Sequence, residues 1–275
     1  MHTLITFLGK GGQRGTGYRE ATYRFADGST ARTPYFGLAL AAQLNPDRIV
    51  VLGTASSMWD VFVEHLAPDE GQEALRLALM ERVESGTVDE ELLAEVASLL
   101  AAAIGKPVEP HLIGMAREAA EQDAVLDTIA RVVPRGTVSI DLTHGFRHLG
   151  MLGFVSGFML ERLLRGVAMA GLWYGALDMT TDGITPVLRL DGLADIQRWT
   201  DALGRFEANG NYGVFAPLLE RDGMPADKAA ALGDAAFREG TMDVAGARDK
   251  LRTVLKALEA PLAGASTLFQ DKLRR

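Results

Sequence analysis

Three apolar runs in this sequence each end in a turn of unusual chemistry, and this pattern restricts the fold more than any other feature. TLITFLG (residues 3–9) leads into the glycine-rich GKGGQRGTG (9–17). DRIVVLG (47–53) leads into TASSMW, and GTVSIDL (136–142) leads into THGFRH. Runs of large apolar and β-branched residues without polar alternation suit strands buried on both faces. Helical stretches stand between and after them. TPYFGLALAAQL (33–44) is expected to start at Thr33 as N-cap with Pro34 in the first helical position. WDVFVEHL follows the second run, two helices flank ESGTVDE within 71–104, one more covers about 116–132, and another runs from Gly145 to Leu164. YREATYRF (18–25), GVAMAGLWYGAL (166–177) and ITPVLRL (184–190) read as further strands, the first closed by the turn ADGS.

Strands alternating with helices predict an α/β fold, a Rossmann-like and mostly parallel sheet with helices on both faces, over residues 1–191. No strand signal remains beyond that point. Residues 192–275 are expected to form a smaller all-helical region broken at Gly210, Gly223 and Gly240. In such sheets ligands sit beyond the carboxyl ends of the strands, so the three unusual turns should converge on one edge.

Composition removes several function classes. The chain has no cysteine, which excludes disulfides, thiolate metal sites and a cysteine nucleophile. The longest apolar candidate, Leu149–Leu160, has 12 residues, where a bilayer needs about 20. MHTLITFLGKGG lacks the basic flank and long apolar core of a signal peptide, so a cytoplasmic protein with no membrane partner is expected. A formal net charge of −8 argues against general nucleic-acid binding. Yet Lys10, Arg14, Arg19, Arg24 and Arg32 outweigh Glu20 and Asp27 by three charges in residues 1–35, which suits an anionic ligand near that segment.

The loop at 9–17 offers backbone N–H groups to phosphates, with Lys10 or Arg14 adding charge. It is not a Walker loop, since no Gly-Lys-Ser/Thr opens a helix behind it, and a simple hairpin loop explains the spacing equally well. Thr54, Ser56 and Ser57 surround an expected helix N-terminus, where hydroxyls serve as ligand contacts or as plain caps. Thr143 or His144 is expected at the start of the next helix, and Gly145 permits a close backbone approach. His144 and His148 have the i, i+4 spacing of a metal pair, but no third ligand is evident. Asp141 and His144 as a base dyad rest on weak spacing, and capping by Asp141 and Thr143 leaves the histidine unexplained.

At these residues the sequence resembles a known family. IDLTHGFRHLGML resembles the Asp-x-Thr-His-Gly signature of CRISPR-associated Rossmann-fold (CARF) proteins from type III systems. ITFLGKGG with YREATYRF, LWYGALD and WTDALGRFEANGNYG are similar to other parts of that family, in order across residues 3–220. The resemblance implies a homodimeric antiviral sensor for cyclic oligoadenylate, the ligand lying across the two-fold axis. A ring with rotational symmetry is best met by a self-complementary site, so the sheet edges of the two copies are expected to face each other. It implies ligand contacts at Gly9, Lys10, Gly11 and Gln13 in the first loop. Thr143, His144 and Gly145 supply the second set, with Arg147 nearby. No cofactor or metal is implied.

Two departures are visible. The first loop is longer and richer in glycine than the family's short form. Many relatives add a HEPN ribonuclease with an Arg-x(4–6)-His motif, whereas no histidine follows His148 here. Either the chain is a truncated sensor portion or its output is not HEPN cleavage, and the ending in KLRR within an expected helix favours the former slightly. A second function class is a ring nuclease that cuts its bound ligand without metal, the ribose 2′-hydroxyl attacking the adjacent phosphate with Lys10, Thr143 and His144 as catalytic candidates. A third is an α/β enzyme for a small phosphorylated metabolite.

Overall fold

The computed structural model describes residues 1–11, 17–67, 72–133 and 135–264. The chain divides into two compact units, Met1–Asp191 and the part from Gly192 onward. The first unit contains eight strands, β1 (His2–Leu8), β2 (Ala21–Arg24), β3 (Thr30–Thr33), β4 (Arg48–Gly53), β5 (Val108–Leu112), β6 (Gly136–Asp141), β7 (Val167–Gly175) and β8 (Ile184–Arg189). They form one sheet in the order β3-β2-β8-β7-β6-β1-β4-β5. Strands β7, β6, β1, β4 and β5 are mutually parallel. β8 runs antiparallel to β7, β2 parallel to β8, and β3 antiparallel to β2. The α/β, mostly parallel architecture is therefore as expected, with a mixed flank on one side.

Helices α1 (Phe36–Leu44), α2 (Trp59–Leu66), α3 (Glu73–Ser85), α4 (Glu90–Ile104), α5 (Ala119–Val132) and α6 (Arg147–Leu163) connect the strands. β1 is buried along nearly its whole length because helices cover both faces of the central strands, which is why its sequence does not alternate. A continuous core around Leu4, Tyr23, Phe36, Leu40, Trp59, Phe62 and Leu93 locks α1, α2 and α4 to the sheet.

Two local expectations are corrected. Thr33 is not an N-cap and Pro34 is not helical. Thr33 closes β3, pairing with Ala21 across a turn at Gly28, and α1 starts at Phe36. The hairpin takes Thr33 into the sheet, and its hydroxyl instead accepts the Tyr35 N–H at 3.1 Å. β5 carries no strand signal because Pro110 interrupts it. The proline is tolerated because β5 lies at the sheet edge, where a missing N–H breaks no ladder on the open side.

The second unit holds α7 (Asp191–Asn209), a 3-10 turn at Tyr212–Phe215, α8 (Ala216–Arg221), α9 (Ala226–Gly240) and α10 (Val244–Gly264). Its own core contains Trp199, Phe215, Leu219, Met224, Leu232 and Val254. Among the described residues no helix is long and apolar enough to cross a membrane.

Candidate ligand-binding site

β1 pairs with β4 on one side and β6 on the other, all in the same direction, so their carboxyl ends share one edge. The turns after them touch. A Cβ built on Gly9 would stand 3.0 Å from Gly145 Cα and 2.8 Å from the Tyr18 hydroxyl, so both chains approach through glycine. Gly145 itself has φ +95°, a conformation that L side chains avoid. Gly9 C=O accepts the Met58 N–H at 2.9 Å, tying the turn after β4 to the turn after β1.

Asp141 ends β6 and is fully buried. Its Oδ1 accepts the Thr143 N–H at 2.8 Å, and its Oδ2 accepts the Thr6 hydroxyl at 2.7 Å. Burial raises its pKa to about 6, against the opposing pull of these bonds. This is an Asx-type brace for the turn. Thr143 is half-buried, and its hydroxyl oxygen accepts the Gly175 N–H at 2.8 Å, joining the turn to β7.

His144 is turned inward, only 6% exposed. Its Nε2 accepts the Phe36 N–H at 3.1 Å, at the first turn of α1. Its ring lies on that of Tyr18, centroids 3.9 Å apart and planes 10° apart. Burial lowers its pKa to about 4, so the ring is neutral and carries its proton on Nδ1. The Tyr18 hydroxyl accepts the Gly9 N–H at 2.7 Å, so Tyr18 bonds the turn after β1 and stacks on the histidine of the turn after β6.

The remaining expected residues separate into three groups. Lys10 and Arg147 are exposed at the rim, and Gly11 is half-buried with φ +73°. Thr54 and Ser57 are buried and committed to the protein. Ser57 Oγ accepts the Thr54 N–H at 2.8 Å and donates to Leu8 C=O at 2.6 Å, so it braces the turn rather than capping α2. Ser56 is half-buried. Gln13 and Arg14 lie outside the described residues. His148 points away from His144 to the surface, its Nε2 2.7 Å from Met115 C=O. Helix α6 starts at Arg147 with Phe146 as N-cap, so Asp141 and Thr143 brace the turn and do not cap the helix.

Sequence reasoning missed Tyr18, which was placed in a strand that begins only at Ala21. Nothing in the sequence separates Tyr18 from the core residues Tyr23 and Tyr35. Only the three-dimensional meeting of Gly9, His144 and Gly145 gives it a role.

A mostly parallel α/β sheet with a glycine-lined turn pair at the carboxyl ends of the neighbouring strands β1 and β6 defines a Rossmann-like domain. Residues 3–168 match the CARF domain of the CRISPR system endoribonuclease Csx1, and the chain belongs to that family. It is also 25% identical over 228 residues to the CRISPR-associated protein MJ1674 of Methanocaldococcus jannaschii, with 74% of this chain and 35% of that protein covered. The chain thus spans about a third of the length of this curated relative.

Proposed function

We propose that the first unit is a cyclic oligoadenylate sensor of type III CRISPR signalling in the cytoplasm, binding its ligand across a homodimer two-fold. The contact between the turns at Gly9 and Gly145 carries this reading, because it brings backbone N–H groups of two strand ends to one point. Fixed N–H dipoles with a few rim cations hold phosphates without a strongly basic surface. Gly9, Lys10, Gly11, Gly145 and Arg147 are the contacts this geometry favours. Thr143 and His144 act mainly by holding the turn.

Binding is favoured over ring cleavage. His144 is neutral, stacked and already bonded at Nε2, which leaves it poorly placed to move a proton for an attacking 2′-hydroxyl.

The surface for dimerisation is α6, beside the carboxyl edge of the sheet, rather than the flanking strands β3 and β5. β3 has only four residues, and β5 contains Pro110, so both edges offer short ladders. On α6, Met151 is 71%, Val155 45% and Leu163 69% exposed, beside the packed pair Phe154 and Phe158. An apolar helix face of this kind suits a self-complementary two-fold contact, and it starts directly after the Thr-His-Gly turn.

Calorimetric titration with cyclic tri-, tetra- and hexa-adenylate, with chromatography of the ligand afterwards, tests the reading. One ring bound per two chains and recovered intact is the expected result. Absence of binding by all three rings overturns it.

A further inference from the structure

Tyr18 engages both halves of the proposed site. Its oxygen accepts the N–H of Gly9, at the end of β1, and its ring stacks on His144, in the turn after β6. The buried Gly9 N–H forms a seat that an anionic oxygen fills better than a neutral phenol, since charge-assisted bonds are roughly twice as strong. The phenol ring meanwhile covers His144 in the parallel, close geometry that a nucleobase adopts on an aromatic ring.

We infer that Tyr18 is a built-in occupant of the ligand seat, a tethered competitor that leaves when a phosphate oxygen of the cyclic oligoadenylate enters; this rests on the reading of the site given above. The chain around Tyr18 permits the exchange. Residues 17–20 belong to no strand or helix, and the β2 ladder begins at Ala21, so the side chain can leave without breaking sheet hydrogen bonds. While seated, Tyr18 satisfies the buried Gly9 N–H, which would otherwise be costly in the ligand-free protein. Occupancy by Tyr18 lowers the fraction of binding-competent molecules, and apparent affinity falls by the same fraction.

The test compares wild type, Tyr18→Phe and Tyr18→Ala by calorimetry with cyclic tri-, tetra- and hexa-adenylate, together with ligand-free melting temperatures. Tyr18→Phe keeps the ring and removes the competing oxygen. It should bind more tightly by about 3–10-fold while melting lower without ligand. A folded Tyr18→Phe protein with unchanged or weaker affinity overturns the inference and leaves the sensor reading intact. Failure of wild type and both variants to bind any ring removes the sensor reading, and this inference with it. Binding by the variants alone supports it. As a second measurement, wild type labelled with 3-fluorotyrosine should show one of its five tyrosine resonances leaving a stacked position when the ring is added. If all five stay fixed while ligand binds, Tyr18 is not displaced. This readout decides even if neither variant folds.

Discussion

Asp141 and His144 are three residues apart and both buried, yet their titrations push stability in opposite directions. Folding raises the Asp141 pKa to about 6, so the folded state holds that proton more tightly and gains stability as pH falls from 6 towards 4. Folding lowers the His144 pKa to about 4, so the unfolded state takes up that proton first and stability is lost over the same window. Each effect amounts to about 1.4 kcal/mol per pH unit, and in wild type they nearly cancel. Asp141→Asn removes one side of this balance while its carbonyl still accepts the Thr143 N–H. Urea unfolding at pH 6 and 4.5 should show the variant losing about 1–2 kcal/mol more than wild type on acidification. Equal losses would mean that Asp141 is not the group responsible. Lys10 presents the simpler case of an exposed rim cation. Lys10→Ala should weaken cyclic oligoadenylate binding by about 1–3 kcal/mol in calorimetry and leave the melting temperature unchanged.

Helix α6 concentrates the element-scale consequences. Replacing Met151 and Val155 together by glutamate should convert a dimer to a monomer in sedimentation without melting the chain, because both side chains already face solvent. A dimer that survives the double substitution would place the contact elsewhere. The elements were legible in sequence wherever burial was continuous. The apolar runs of β1, β4, β6 and β7 needed no tertiary knowledge, and neither did the glycine breaks after α7 and α8. What was not legible depended on neighbours. Pro110 hides β5 until its edge position is known, and Thr33 has every local mark of a cap until β2 claims it. The site shows the same division. Asp141, Thr143 and Gly145 could be found from their motif, whereas the inward turn of His144 required Tyr18 and the Phe36 N–H, which lie more than a hundred residues away.

At the scale of the whole molecule, each of the two units has its own core. We propose that residues 1–191 alone carry ligand sensing, so this segment should melt cooperatively and bind the ring with the affinity of the full chain. Loss of cooperative melting would show that the helical part is needed for folding. The sheet ends in strands that resist pairing, four residues of β3 on one flank and the proline-bearing β5 on the other. A chain with open, long edges could add copies without limit and polymerise as it is concentrated. Here the exposed Met151, Val155 and Leu163 lie on a helix, and a helix pair related by a two-fold is used up once formed. Light scattering should therefore reach a plateau at one finite mass. Concentrating such a chain multiplies particles of one size instead of lengthening them, so its behaviour in a crowded cell is that of a discrete unit.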